Sequence, residues 1–276
     1  MDVFTGSSDR FINESYMIKA KKSLGQNFLQ DKHIAEKIVK SANLREKDKV
    51  LEVGPGQGVL TEFLLKKADF VLAVEKDDRL FLSLKQRFGN QKNLRLVNKD
   101  ILQLTEAELK KIFHEQPYKI VANLPYNISG VFLKKFLSAD FKPQSMTLML
   151  QKEVGERMTV KAPHNNILSL SVRFFGEPKR VFEVKPGSFY PRPKVHSAVM
   201  RIDNIKKRFP QVKEKDFFSL VKKGFSAKRK KLINNLKNYY DQEKLKRIFS
   251  ELNLSENTRA QELTLEQWVD LVLALS

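Results

Sequence analysis

Short apolar runs alternate with stretches of helical period along the first two thirds of the chain. "KVLEVG" (49–54), "FVLAVE" (70–75), "LRLVN" (94–98), "KIVAN" (119–123) and "MTLMLQ" (146–151) are short, apolar and rich in branched side chains, as buried strands are. "GVLTEFLLKKA" (58–68) and "DRLFLSLKQRF" (78–88) instead repeat their apolar residues every three to four positions. Strands separated by helices predict parallel βαβ units and an α/β sheet. "KRVFEV" (179–184) and "HSAVMRI" (196–202) have little helix between them, which predicts an antiparallel hairpin at one sheet edge.

The pattern changes near residue 206, beyond which no strand period follows. "KLKRIFSELNL" (244–254) has a helical period. "LTLEQW" (263–268) reads as a helix start, with Thr264 as cap, Gln267 three residues later and Leu263 placed to staple Trp268. "FSAKRKKLINNL" (225–236) reads as a helix with Phe225, Leu232, Ile233 and Leu236 as its buried stripe. The expected organisation is a loose extension over 1–18, a sheet domain over 19–205 and a small basic helical domain over 206–276. Helices that simply cover the sheet are the alternative for the last segment.

Composition sharpens this picture at one point. An apolar fraction of 41% in 276 residues suits a globular chain with a sizeable core. The charge is unusual: 51 Lys plus Arg against 32 Asp plus Glu, net +19. Residues 206–247 carry 15 basic and 4 acidic residues, net +11, so over half the excess lies in about a sixth of the chain. Such an excess points to a polyanion, nucleic acid before an anionic membrane, with lysine-driven solubility as the bland alternative. There is no cysteine, which excludes disulfides and thiolate zinc and is compatible with the cytosol. His33, His114, His164 and His196 lack metal-ligand spacing, so no metal site is expected. No apolar run approaches a membrane span.

The chemistry gathers at strand ends. "EVGPGQG" (52–58) lies between a strand and a helix, where Gly54, Gly56 and Gly58 allow a tight turn and close approach of a ligand. Glu75 ends the next strand, 21 residues after Gly54, where an acid can accept both hydroxyls of a ribose. Val59 stands where a dinucleotide pattern has its last glycine, so that pattern is imperfect. Asp100 follows the third strand and reads as an acceptor for an adenine amino group or as a helix cap. Asn123 ends the fourth strand and opens "NLPY", a turn stiffened by Pro125. In open α/β sheets ligands bind at the carboxyl ends of strands. Four consecutive ends carrying glycine, acid, acid and amide therefore predict a nucleoside cofactor site.

The chain resembles the small-subunit (16S) ribosomal RNA adenine N6,N6-dimethyltransferase family. The matching motifs are "KKSLGQNFL" (21–29), "EVGPGQG", "KD" (99–100), "NLPYNIS" (123–129), "FYPRPKVHS" (189–197), "FSAKRKKLINNL" and "RAQELTLEQW" (259–268). They run in the family's order over nearly the whole chain. "VEKDD" (74–78) is longer in acid than the family's usual stretch, and residues before Lys19 lie outside the family core. The resemblance implies a Rossmann-like S-adenosylmethionine-dependent methyltransferase sheet with an all-helical C-terminal domain. It implies transfer of methyl groups to N6 of two adjacent adenosines near the 3′ end of 16S rRNA in an immature small subunit. The alternatives are a 23S rRNA or DNA adenine methyltransferase, and an assembly factor whose binding outweighs its catalysis. A monomeric, cytoplasmic protein is expected.

By the same resemblance, Asn27, Leu29, Gly54, Gly56, Glu75, Asp100, Ile101 and Asn123 touch the cofactor. Residues 26–29 close over its methionine end, with a capped entry to the following helix at Asp31 as the plainer reading. The target nitrogen's lone pair is delocalised into its ring, so it needs acceptors that orient it rather than a strong base. Asn123 Oδ1 and the Leu124 carbonyl, aimed by Pro125, fit that need. Tyr126 and Phe189 read as rings stacking on a flipped base, with core packing as the alternative; such contacts contribute about 1–3 kcal/mol each. Lys21, Lys22, Lys194, Lys222, Lys223, Lys228, Arg229, Lys230 and Lys231 are the candidate phosphate contacts, against a merely solvated surface.

Overall fold

The computed structural model describes residues 18–21 and 24–276. Lys22 and the expected extension up to residue 17 lie outside the described residues. The chain divides into two compact units, one reaching to Gly155 and including Lys179–Ile205, the other made of Glu156–Pro178 and Lys206–Ser276.

The first unit begins with β1 (Phe28–Leu29) and α1 (Lys32–Ser41). Asp31 caps α1, its Oδ1 accepting from the His33 and Ile34 amides at 3.1 and 3.4 Å. There follow β2 (Lys49–Val53), α2 (Val59–Leu64), β3 (Phe70–Glu75), α3 (Asp78–Phe88), β4 (Leu94–Asn98), α4 (Glu106–Phe113), β5 (Tyr118–Asn123), α5 (Ser129–Leu137), β6 (Met146–Gln151) and α6 (Lys152–Thr159). After α7 (Ile167–Phe175) come β7 (Glu177–Val184), β8 (Phe189–Tyr190) and β9 (Ser197–Asp203). Seven strands form one sheet in the order β4-β3-β2-β5-β6-β9-β7. The first five of these are parallel and β9 runs antiparallel to β6. Central strands covered on both faces are mostly apolar, and β2, β3 and β6 are buried along nearly their whole length.

A second sheet has only two strands. β1 pairs antiparallel with β8, Phe28 opposite Tyr190 and Leu29 opposite Phe189. Residues directly opposite share a face. Leu29 and Phe189 accordingly enter one core cluster with Val184 and Val199, while Tyr190 is 47% exposed.

The second unit holds α7 together with α8 (Glu214–Gly224), α9 (Leu232–Leu236), α10 (Gln242–Glu251) and α11 (Leu265–Leu275). Residues 156–178, placed by the sequence reading in the sheet domain, group here because their partners lie here. Asn165 donates its amide N–H to the Gln261 carbonyl at 3.0 Å and its Nδ2 to the Leu263 carbonyl at 2.7 Å. Phe174 stacks on Phe217 at 4.1 Å. Trp268 is fully buried and stacks on Phe225. Thr264 and Gln267 form the expected reciprocal cap.

The expected helix over 225–236 is corrected. Only Leu232–Leu236 is helical, and residues 225–231 form turns. Asn235, buried in α9, donates Nδ2 to the carbonyls of Gly224 and Ala227 at 2.6 and 3.1 Å, tying down the bend. Leu232, Ile233 and Leu236 are buried as anticipated.

Candidate active site

The carboxyl ends of β2, β3 and β5, the segment after β4 and residues 24–29 line one cleft in the first unit. Its floor is the glycine turn after β2. Gly56 and Gly58 have φ of +60° and +79°. A Cβ on Gly58 would lie 2.5 Å from the Phe88 ring, so this turn can sit against α3 only without a side chain.

Glu75, 6% exposed at the end of β3, is joined to that turn. Its Oε2 accepts from the Gly56 amide at 3.1 Å and its Oε1 from the Asp77 amide at 2.9 Å. Burial pushes its carboxyl up, and these N–H groups offset part of that rise. Each oxygen keeps a lone pair for a further donor such as a ribose hydroxyl. Asp100 also lines the cleft, accepting from Lys76 Nζ at 2.7 Å and from the Leu102 amide at 2.9 Å. Partial burial opposes its charge, but these two bonds prevail and hold its carboxyl below the ordinary range. Ile101 supplies an apolar wall beside it, 5% exposed.

"NLPY" closes the other side. Asn123 donates Nδ2 to the Asn27 carbonyl at 3.3 Å, while its Oδ1 takes no hydrogen bond among the described residues. The amide is therefore fixed with its acceptor end available in a residue that lines the cleft. The Leu124 amide donates to the Met149 carbonyl at 3.2 Å, anchoring the turn to β6. Tyr126 is half-buried in the lining, and its hydroxyl lies 2.9 Å from Ser197 Oγ. Burial pushes the phenol up, with the Ser197 bond acting the other way.

Of the predicted site residues, Asn27, Leu29, Gly54, Gly56, Glu75, Asp100, Ile101, Asn123, Leu124, Pro125 and Tyr126 all line this one cleft. Phe189 does not. The expectation that it offers a ring to a base is corrected: pairing with Leu29 turns it into the core, where it is 5% exposed. Of the basic candidates, Lys21, Lys194, Lys222, Lys228, Arg229, Lys230 and Lys231 are exposed. Lys223 lies over the rings of Tyr239 and Tyr240, 4.7 and 4.8 Å from their centroids.

Three groups carried no role in the sequence reading. Glu52 is fully buried in β2; burial, aided by nearby Glu75 and opposed by Thr61, pushes its carboxyl up to about 8. Ser197 and Asp77 are the others; all three lie inside quoted motifs, "EVGPGQG", "FYPRPKVHS" and "VEKDD", without a role of their own being read there. Among the described residues no three His, Cys, Asp or Glu side chains are grouped for a metal, and no helix is long and apolar enough to cross a membrane.

Residues 17–276 match the model of the ribosomal RNA adenine dimethylase family. A ribosomal RNA small subunit methyltransferase A from Dehalococcoides mccartyi is 41% identical over 263 residues, covering 94% of this chain and 90% of its own. One from Mesomycoplasma hyopneumoniae is 40% identical, covering 91% and 94%. Among solved structures, a dimethyladenosine transferase from Plasmodium falciparum superposes with TM-score 0.76 at 25% identity over 87% of this chain and 94% of that one. The 23S rRNA methyltransferase ErmE gives 0.72 at 26% identity over 90% and 99%. The chain belongs to the ribosomal RNA adenine dimethylase family.

Proposed function

We propose that this protein transfers methyl groups from S-adenosylmethionine to N6 of two adjacent adenosines in the 3′-terminal hairpin loop of 16S rRNA, giving N6,N6-dimethyladenosine during small-subunit biogenesis. The observation that carries this reading is Asn123, held by the Asn27 carbonyl with Oδ1 available beside Tyr126. Identity of 41% to a small-subunit enzyme, against 26% to ErmE, favours 16S over 23S rRNA.

The residues present fit the cofactor. S-adenosylmethionine supplies an electrophilic methyl group on a positively charged sulfur. Glu75 would accept from the ribose, Asp100 from the adenine amino group, and Asn27, Leu29, Gly54, Gly56 and Ile101 would pack about the rest. Asn123 Oδ1 and the Leu124 carbonyl would hold the N–H groups of the target amine and turn its lone pair toward the methyl. Tyr126 would stack on the flipped base, its ring steadied by Ser197. Alignment of donor and acceptor supplies most of the acceleration. After each transfer the methylated amine releases one proton to solvent. The exposed Lys228, Arg229, Lys230 and Lys231 would contact phosphates, positioning the RNA without reading its sequence.

Methyl mapping of rRNA from cells lacking this protein tests the reading. Loss of two adjacent dimethyladenosines near the 3′ end of 16S rRNA is expected. Intact 16S methylation with a loss in 23S rRNA would overturn it.

A further inference from the structure

Residues 24–29 form one wall of the cleft; among the described residues, two side-chain contacts hold it besides the pairing of β1 with β8. One is the Asn123–Asn27 bond already described. The other is a single carboxylate, Asp77. Its Oδ2 accepts from Gln26 Nε2 at 3.1 Å, and its Oδ1 from Lys21 Nζ at 3.4 Å. Gln26 Oε1 in turn accepts from the Lys21 amide at 2.7 Å, so Lys21 and Gln26 are tied to each other as well as to Asp77. Arg79 braces the same carboxylate through Nε at 3.1 Å and Nη2 at 2.7 Å. Asp77 is only 2% exposed, and its own amide donates to Glu75 Oε1 at 2.9 Å. One residue thus joins the cleft wall to the acid at the end of β3.

We propose that Asp77 is a positioning residue that clamps Gln26 and Lys21 beside the cleft and couples that wall to Glu75. This rests on the reading of the cleft as the S-adenosylmethionine site. Asp77 is absent from the lining and touches no cofactor; it acts through Gln26, which does line the cleft. The bonds are charge-assisted and nearly desolvated on the Asp77 side, where such contacts are strong. Loss of the clamp loosens the wall and shortens the residence of the cofactor, and association changes less.

A polarity swap isolates this role. Asp77→Asn keeps an oxygen to cap α3, where Asp77 accepts from the Arg79 amide, but the NH2 group it introduces faces both Gln26 Nε2 and Arg79 Nη2 and accepts from neither. Gln26→Glu keeps an acceptor for the Lys21 amide but sets two carboxylates against each other. In the double variant, the amide introduced by Asp77→Asn donates to the carboxylate introduced by Gln26→Glu, and the contact returns with reversed polarity. Stopped-flow displacement of S-adenosylmethionine from the full chain is the measurement, with thermal unfolding of each variant alongside. Each single variant is expected to release the cofactor about tenfold faster, and the double variant, in which the Arg79 Nη2 bond stays lost but the Gln26 contact returns, to fall well short of the two effects multiplied, the non-additivity that marks a direct contact. Single variants that release the cofactor at the original rate, or a double variant as fast as the two effects multiplied, would overturn the clamp. If Asp77→Asn fails to fold, Gln26→Leu, which removes the contact without adding a charge to the lining, should still speed release, and an unchanged rate would overturn the clamp. Failure of the unaltered chain to bind S-adenosylmethionine would instead overturn the reading of the cleft.

Discussion

The cleft and the basic turn use charge in opposite ways. At the strand ends, Glu52, Glu75 and Asp77 are 0%, 6% and 2% exposed. Each carboxylate there is either held by N–H donors or, as in Glu52, kept neutral by burial. In the turn over 228–231, four consecutive cations are exposed and, among the described residues, have no ion-pair partner. A desolvated group acts through its orientation, so moving or removing one atom changes what the site can do. A solvated charge acts through its count and is screened by salt. Chemistry should therefore fail at single residues in the cleft, and RNA affinity should decline by degrees in the turn.

The largest expected effect is at Asn123. Asn123→Ala removes one aligned acceptor from a partly desolvated site. By analogy with loss of an oxyanion donor, the chemical step should slow by roughly a hundredfold to a thousandfold. RNA binding, measured by filter retention, should be nearly unchanged. Glu75→Ala comes next. Loss of hydrogen bonds to a charged acceptor costs about 1.5–3 kcal/mol, so calorimetry should show S-adenosylmethionine affinity falling by roughly tenfold to a hundredfold. Unchanged affinity in a folded variant would remove Glu75 from the cofactor site.

Changing Lys228, Arg229, Lys230 and Lys231 together to Gln should lower RNA affinity by about tenfold. The slope of log affinity against log salt should shrink by up to about 3 as fewer counterions are released. Cofactor affinity should survive. An unaltered slope would make the turn a solvated surface and collapse the contrast between the two regions.

Glu52 tests the buried side of the contrast through the pH dependence of folding rather than through methyl transfer. Its carboxyl, ordinarily near 4.5, is pushed up to about 8 by burial. The folded chain therefore holds this proton more tightly than the unfolded chain does. The resulting stability is fully present below about pH 4.5 and is lost as pH rises through about 8. Glu52→Gln, neutral at every pH, should unfold near the original midpoint at about pH 4.5 and increasingly above it as pH rises toward 8, with little further change at pH 9. Equal losses over this range in both proteins would show that Glu52 is not the group responsible.

Much of the cleft was legible because its residues are bound to local pattern. An apolar run followed by glycine, acid or amide is visible in one short window, and the sheet order β4-β3-β2-β5 then brings four such windows side by side. What escaped depends on distant pairing. The two-residue sheet of β1 and β8 joins segments some 160 positions apart, and its register alone decides that Phe189 turns inward and Tyr190 outward. No periodicity exists over two residues. The run at 228–231 read as helix because Phe225, Leu232, Ile233 and Leu236 around it fit one buried helical stripe. The bend there is set by Asn235 reaching back to Gly224 and Ala227, which composition cannot show. Residues 156–178 carried too weak a signal to separate from the sheet, although Asn165 and Phe174 tie them to the helical unit. The Asp77 clamp is likewise a meeting of Lys21, Gln26 and Arg79 from two distant segments.

Single-turnover methylation of 16S rRNA at saturating S-adenosylmethionine, followed as RNA concentration rises, tests the division of labour most directly. The chain with Lys228, Arg229, Lys230 and Lys231 changed to Gln should approach the original rate once RNA is saturating, because only its affinity is weakened. Asn123→Ala should remain slow at every RNA concentration, by roughly a hundredfold or more. An Asn123→Ala chain that dimethylates near the original rate would show that the turn after β5 is structural, and would contradict the account.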